Sequence, residues 1–166
     1  MRDELEKKLE ENFIFMKKKY SLEKQREQGK IGNLYSAFGC ECNDGWFELL
    51  YSLCQEIDEV YKKANMPVDI VIEQIKEKFG SLRFYYSFRD KEQAVHALDF
   101  LGIGGFRYMQ EDTPIHKEIA NIVKNYEKKS SFVCENCGAS GKLRTECPWV
   151  LTLCDKCHND RMSKRK

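Results

Sequence analysis

Residues 68–88 read VDIVIEQIKEKFGSLRFYYSF. β-Branched and aromatic residues crowd this stretch, and Phe79, Gly80 and Ser81 interrupt it where a turn fits, so it reads as a β-hairpin. Side chains alternate across a strand, which puts Leu82, Phe84, Tyr86 and Phe88 on one face and Arg83, Tyr85 and Ser87 on the other. The expectation is one packed face and one polar face.

Helical patterns flank the hairpin. Trp46, Leu50, Leu53, Cys54, Ile57 and Tyr61 recur at helical spacing, with Asn43 or Asp44 as the cap and Asn65 and Pro67 ending the helix near Ala64. Downstream, Thr113 caps a helix with Pro114 at its first position, and Ile115, Ile119, Ile122, Val123 and Tyr126 form its buried stripe. Upstream, Leu5, Leu9, Phe13, Met16 and Tyr20 predict one long charged helix over 2–28, stopped by Gly29 and Gly32, that covers a flank of the core or pairs with a copy of itself. Asp90 with Gln93 opens a further short helix that Gly102, Gly104 and Gly105 end.

The fold class expected is α+β, with a small antiparallel sheet, the hairpin 68–88, packed by three to four helices and closed by a C-terminal metal ribbon that docks on the last helix. This divides the chain into a charged helix (1–30), a core domain (31–130) and the ribbon with a basic tail (131–166).

The ribbon is read from cysteine spacing. Cys134 and Cys137 form one pair, Cys154 and Cys157 another, and two such knuckles supply the four soft ligands of a tetrahedral zinc site. Gly138 suits a knuckle turn of positive φ, and LRTECPWVLTLC supplies the strands of a ribbon hairpin. A four-thiolate site is closed to water and substrate, so the zinc is expected to be structural. Cys147 and His158 break the two-knuckle spacing and are left out of the ligand set.

Composition narrows the function classes. The net charge is +1 over 166 residues, which gives no global pull toward nucleic acid or membrane. No apolar run spans a bilayer and the start, MRDELEKKLEE, has no secretory hydrophobic segment, so a cytoplasmic protein with reduced thiols is expected. Cys40, Cys42 and Cys54 have no adjoining metal ligand or base at a known spacing; Cys54 reads as core, and none is taken as a nucleophile. His96, His116 and His158 match no catalytic pattern, and LGIGGF lacks the lysine and spacing of a phosphate loop. The expectation is therefore no enzyme.

Two surfaces are candidates for binding. Lys76, Lys78 and Arg83 gather donors around the hairpin turn beside Tyr85, which suits an anionic, planar, nucleotide-like ligand. Alternatively, Arg144, Trp149, Arg161, Lys164, Arg165 and Lys166 offer nucleic acid a basic, aromatic ribbon surface. The bland reading of both is solvated charge, which keeps hairpin edges and tails soluble.

In their order, CNDGWFELLYSLCQEI (42–57), IKEKFGSLRFYYS (75–87) and CENCGASGKLR with WVLTLCDKC (134–157) resemble a widespread group of small, mostly uncharacterised proteins of bacteria and their phages. The resemblance covers about 42–157 and implies metal ligation by Cys134, Cys137, Cys154 and Cys157. The long N-terminal helix and residues 90–112 depart from that pattern. With no catalytic constellation, the function expected is a phage-encoded binding protein that sequesters or inhibits a host component, either a protein or a small nucleotide used in defence.

Overall fold

The computed structural model describes residues 1–27, 29–88, 113–146 and 149–164, together with the backbone of 96–98 and 106–108. Its centre is the expected hairpin. Strands β2 (Ile70–Lys78) and β3 (Ser81–Phe88) pair antiparallel around a two-residue turn, with Lys78 opposite Ser81. Phe79 and Gly80 both have positive φ (52° and 75°), the type I′ geometry whose twist matches paired strands.

The register shifts between Ile72 and Gln74. That bulge reconciles the apolar spacing: Ile70 and Ile72 face Phe88 and Tyr86, and one extra residue returns Ile75 to the same face, opposite Phe84. The other face is less polar than expected. Val71, Tyr85 and Ser87 are buried there, with the Lys76 ammonium 5.4 Å from the Tyr85 ring centroid and the Ser87 hydroxyl donating to Glu73 (2.7 Å).

A short strand the sequence did not predict, β1 (Cys40–Glu41), joins β2 in parallel, pairing Cys40 with Ile75 and Glu41 with Lys76. On the opposite edge, the amides of Leu82 and Phe84 donate to Ser130 Oγ and Glu127 Oε1 (2.8 Å each). Both acceptors belong to helix α5 (Pro114–Ser130), so its side chains satisfy an edge that would otherwise invite strand pairing. Thr113 caps α5 by accepting from the His116 amide, as expected, and Ile119, Val123 and Tyr126 are buried. Helix α4 (Phe47–Ala64) packs against α5 and ends at Asn65, which adopts the left-handed conformation. Neither expected cap acts as one: Asn43 and Asp44 lead into a 3-10 turn, Asp44 instead accepts from Arg2, and Asn43 is turned to the ribbon.

The N-terminal segment departs from a single helix. It forms α1 (Asp3–Asn12), a 3-10 turn (Ile14–Met16) and α2 (Lys18–Glu27). Phe13, Phe15 and Met16 are all buried, and one narrow helical stripe cannot turn all three inward; extended backbone at Phe13 breaks the helix so that they can. Leu9 and these residues belong to the same apolar cluster as Trp46, Leu50, Ile57, Ile72 and Phe84, so the segment does cover a flank of the core. Glu6 pulls it back, accepting from the Cys40 amide (2.8 Å) and pairing with Lys18 (2.7 Å). A five-residue helix, α3 (Leu34–Phe38), follows; its cap Asn33 and Ser21 of α2 both donate to the Ile72 carbonyl.

Most of the expected 90–101 helix lies outside the described residues. At 96–98 the chain is instead a strand, β4 (His96–Leu98), paired with β5 (Phe106–Tyr108); antiparallel pairing across the glycine-rich link replaces helical bonding there. No helix among the described residues is long and apolar enough to cross a membrane.

The ribbon consists of β6 (Lys142–Arg144) and β7 (Leu151–Leu153), antiparallel, followed by α6 (Asp155–Ser163). The contacts that seat it run to the start of α4 and to the hairpin turn, where docking on the last helix had been expected. Gly45 N–H donates to the Glu135 carbonyl (2.8 Å), the Trp46 indole to the Val133 carbonyl (2.9 Å), and Thr152 Oγ1 to the Gly80 carbonyl (2.6 Å). Gly45 and Gly80 leave room for this approach. A Cβ on Gly45 would overlap the Cys134 carbonyl oxygen and stand 2.5 Å from Cys137 N; one on Gly80 would overlap Leu143.

Candidate metal centre and the cavity beside it

The thiols of Cys134, Cys137, Cys154 and Cys157 lie within 4.8 Å of one another. Each knuckle is built locally. In the first, the Gly138 N–H donates back to the Cys134 carbonyl (2.8 Å) with Gly138 at φ 78°, as the sequence predicted. In the second, Cys154 is the N-cap of α6 and its sulfur accepts from the Cys157 N–H (3.4 Å). That backbone donor is the main reason the Cys154 thiol is held down at about 7, where the thiolate that binds metal forms readily. Cys137 and Cys154 sulfurs stand 3.7 Å apart. Tetrahedral thiolates at the usual zinc–sulfur length are about 3.8 Å apart, so the quartet can hold a metal ion with little movement. The four residues are those read from spacing. His158 is outside the cluster, its Nε2 3.3 Å from Glu146, and Cys147 lies outside the described residues.

Beside the metal centre, where the ribbon meets the core, is an open cavity of about 590 Å³. Five parts of the chain wall it: the N-terminus (Met1), the end of β1 and the residues after it (Glu41, Cys42, Asn43), β2 (Lys76, Glu77), the first knuckle (Glu135), and the ribbon with α6 (Trp149, Leu151, Arg161). Glu135 is only 2% exposed. Its Oε1 accepts from the Asn43 amide (2.9 Å), whereas its Oε2 is buried without a partner. Burial pushes this carboxyl above its ordinary range. Arg161 Nε is likewise buried without a partner. Glu77 is committed on both oxygens, taking the Gly80 N–H (2.6 Å) and the Trp149 indole N–H (3.2 Å).

The structure redistributes the expected binding residues. Lys76 and Arg83 oppose each other across the strands, beside Tyr85 on one sheet face, but only Lys76 of that set reaches the cavity. The Arg83 guanidinium folds onto Ser81 and the Leu82 carbonyl, Tyr85 is buried, and the Lys78 ammonium lies 5.5 Å from the Phe79 ring centroid. From the basic ribbon set, Arg144 is turned inward, 6% exposed, bonded to Asp155 (2.5 Å) and the Leu153 carbonyl (3.3 Å). Trp149 is 63% exposed, Lys164 is exposed, and Arg165 and Lys166 lie outside the described residues. Glu41, Glu77 and Glu135 escaped sequence reasoning: no spacing relates the cavity's segments, and a carboxylate inside a knuckle has no motif of its own.

The remaining thiols among the described residues are core. Cys40, Cys42 and Cys54 are buried, and desolvation pushes all three up, Cys42 to about 12. His116 is a packed histidine, stacked on Phe88 (3.6 Å between ring centroids) with Nε2 3.1 Å from Asp69, whose other oxygen takes the Tyr61 hydroxyl.

No protein-family model matches the chain, and neither the curated proteins nor the solved structures contain a match.

Proposed function

We propose that this chain is a zinc-stapled, non-enzymatic binding protein whose binding surface is the seam between ribbon and core. The observation that carries this reading is the quartet of thiols within 4.8 Å, set in a ribbon whose Glu135 and Trp149 bond to Asn43 and Glu77 of the core and wall the cavity with them. Four thiolates favour zinc and close its coordination sphere, which leaves the ion to shape the seam. The core thiols support a non-catalytic role, since a buried thiol with a raised pKa is a poor nucleophile. A sequestering protein of the kind expected from the phage-like motifs, acting in the host cytoplasm, requires a cavity of this sort and no chemistry. The nucleic-acid reading has less support, because Arg144 is spent inside the ribbon.

Elemental analysis of protein purified without added metal is expected to find one zinc per chain. Native mass spectrometry of that protein, after incubation with the small-molecule filtrate of a bacterial lysate, is expected to show a non-covalent adduct. Metal-free folded protein would refute the staple, and zinc-loaded protein with no adduct would refute the binding role.

A further inference from the structure

Building on the seam as binding surface, we infer that its ligand is a mononucleotide whose base donates an N–H to Glu135 and whose phosphate is held by Arg161 and Lys76. The inference starts from two groups the protein leaves unsatisfied. Glu135 Oε2 is an acceptor, buried and without a donor; Arg161 Nε is a donor, buried and without an acceptor. Both residues line the same cavity, and among the described residues no salt bridge joins them. Native interiors rarely leave such groups orphaned, and each costs free energy until something meets it. A ligand that donates at one point and accepts at the other would meet both.

Three further features narrow the class. The cavity, about 590 Å³, falls within the range of small-molecule sites. The Trp149 indole is tied to Glu77 through its N–H, which presents a fixed aromatic surface on the cavity wall. Lys76, the hairpin cation that reaches the cavity, adds a second positive charge beside Arg161. An N–H acceptor, a stacking plane and two cations together match a base and a phosphate. Inorganic phosphate would leave Glu135 unmet, and an aliphatic amino acid would leave the indole unused.

The charge balance selects among nucleotides. Glu41, Glu77 and Glu135 line the cavity with Lys76, Arg161 and Met1, whose ammonium is bonded to the Cys42 carbonyl, so three carboxylates balance three cations and no excess positive charge is left for a highly charged triphosphate. A monophosphate fits this field better. Guanine is the preferred base, because its N1–H and N2–H₂ form adjacent donors that one carboxylate oxygen can accept, whereas adenine offers its amino group alone.

The test is isothermal titration of zinc-loaded protein with GMP, AMP, CMP, UMP, GTP and inorganic phosphate. GMP is expected to bind at least about tenfold more tightly than GTP or phosphate. Glu135→Gln keeps the Oε1 acceptor for the Asn43 amide but replaces the free oxygen with a donor, so folding and zinc content are expected to hold while GMP affinity falls about tenfold or more. Arg161→Ala is expected to weaken GMP binding and leave the thermal midpoint within a few degrees. Zinc-loaded, folded protein that binds none of the four monophosphates, or a Glu135→Gln variant that binds GMP as the parent does, would overturn the inference. A lysate adduct of different mass under those conditions would leave the seam reading standing and the nucleotide assignment refuted.

Discussion

Replacing Gly45 with alanine tests whether the ribbon is held to the core by close main-chain approach. The new Cβ would overlap the Cys134 carbonyl oxygen and lie 2.5 Å from both Cys137 N and the Glu135 carbonyl oxygen, where ordinary contacts with carbon are about 3.5 Å or longer. Those atoms are main-chain atoms of the first knuckle and have no rotamer to give, so the ribbon must shift outward by about 1 Å. Such a shift breaks or weakens three hydrogen bonds: Gly45 N–H to the Glu135 carbonyl (2.8 Å), the Asn43 amide to Glu135 Oε1 (2.9 Å), and the Trp46 indole to the Val133 carbonyl (2.9 Å). At about 1 kcal/mol each the loss is about 3 kcal/mol. For a chain of this size that corresponds to a fall of about 6–12 °C in the thermal midpoint. No thiol is touched, so zinc content should stay at the parent value while differential scanning calorimetry records the fall. A midpoint within about 2 °C of the parent, with zinc retained, would refute the seam as drawn.

Stripping any bound metal with a strong chelator is expected to release the ribbon selectively, because among the described residues its own buried apolar cluster is small, Cys134, Leu151 and Leu153 with Cys154 and Cys157 against them. Hydrogen exchange should then rise over 133–160 while the amides of β2 and β3 stay protected; uniform exchange across the chain would contradict this. Iodoacetamide at neutral pH should spare Cys40, Cys42 and Cys54 in the native protein and modify them on unfolding, read by peptide mass spectrometry, since all three are buried with raised pKa values. The Tyr126 hydroxyl donates to Glu56 (2.6 Å), and burial with this bond raises its pKa from 10.0 to about 12. A folded-state pKa above the unfolded one means that the contribution is complete below pH 10 and lost as pH rises toward 12. Tyr126→Phe should therefore flatten the decline in urea stability across that window, and an unchanged slope would count against it.

The hairpin was legible because its residues carry both strand propensity and a turn, and the two-residue turn at Phe79 and Gly80 falls within the stretch read as the turn. The metal quartet was legible because ligand spacing is a local constraint. The N-terminal helix was misread for a physical reason: steps of four, four, three and four satisfy a helix, yet burying Phe13, Phe15 and Met16 together favours breaking it. The bulge was implicit in the offset of Ile75 from Ile72, a step of three inside a two-residue alternation. The docking of the ribbon was hidden because its bonds are made largely by main-chain groups, whose partners side-chain patterns do not reveal. The cavity was hidden because it draws on segments as distant as Glu41 and Arg161, which only the folded chain brings together.

That assembly has a bearing on synthesis. The ribosome completes the hairpin and both large helices well before it reaches Trp149 and Arg161, and domains generally begin to fold from the amino-terminal side while translation continues. A nascent polypeptide can therefore mature its globular body before these late residues emerge to complete the cavity wall and before the fourth thiol of the quartet is made. On the function proposed above, binding competence would be gained in one terminal step, with the supply of metal as its gatekeeper.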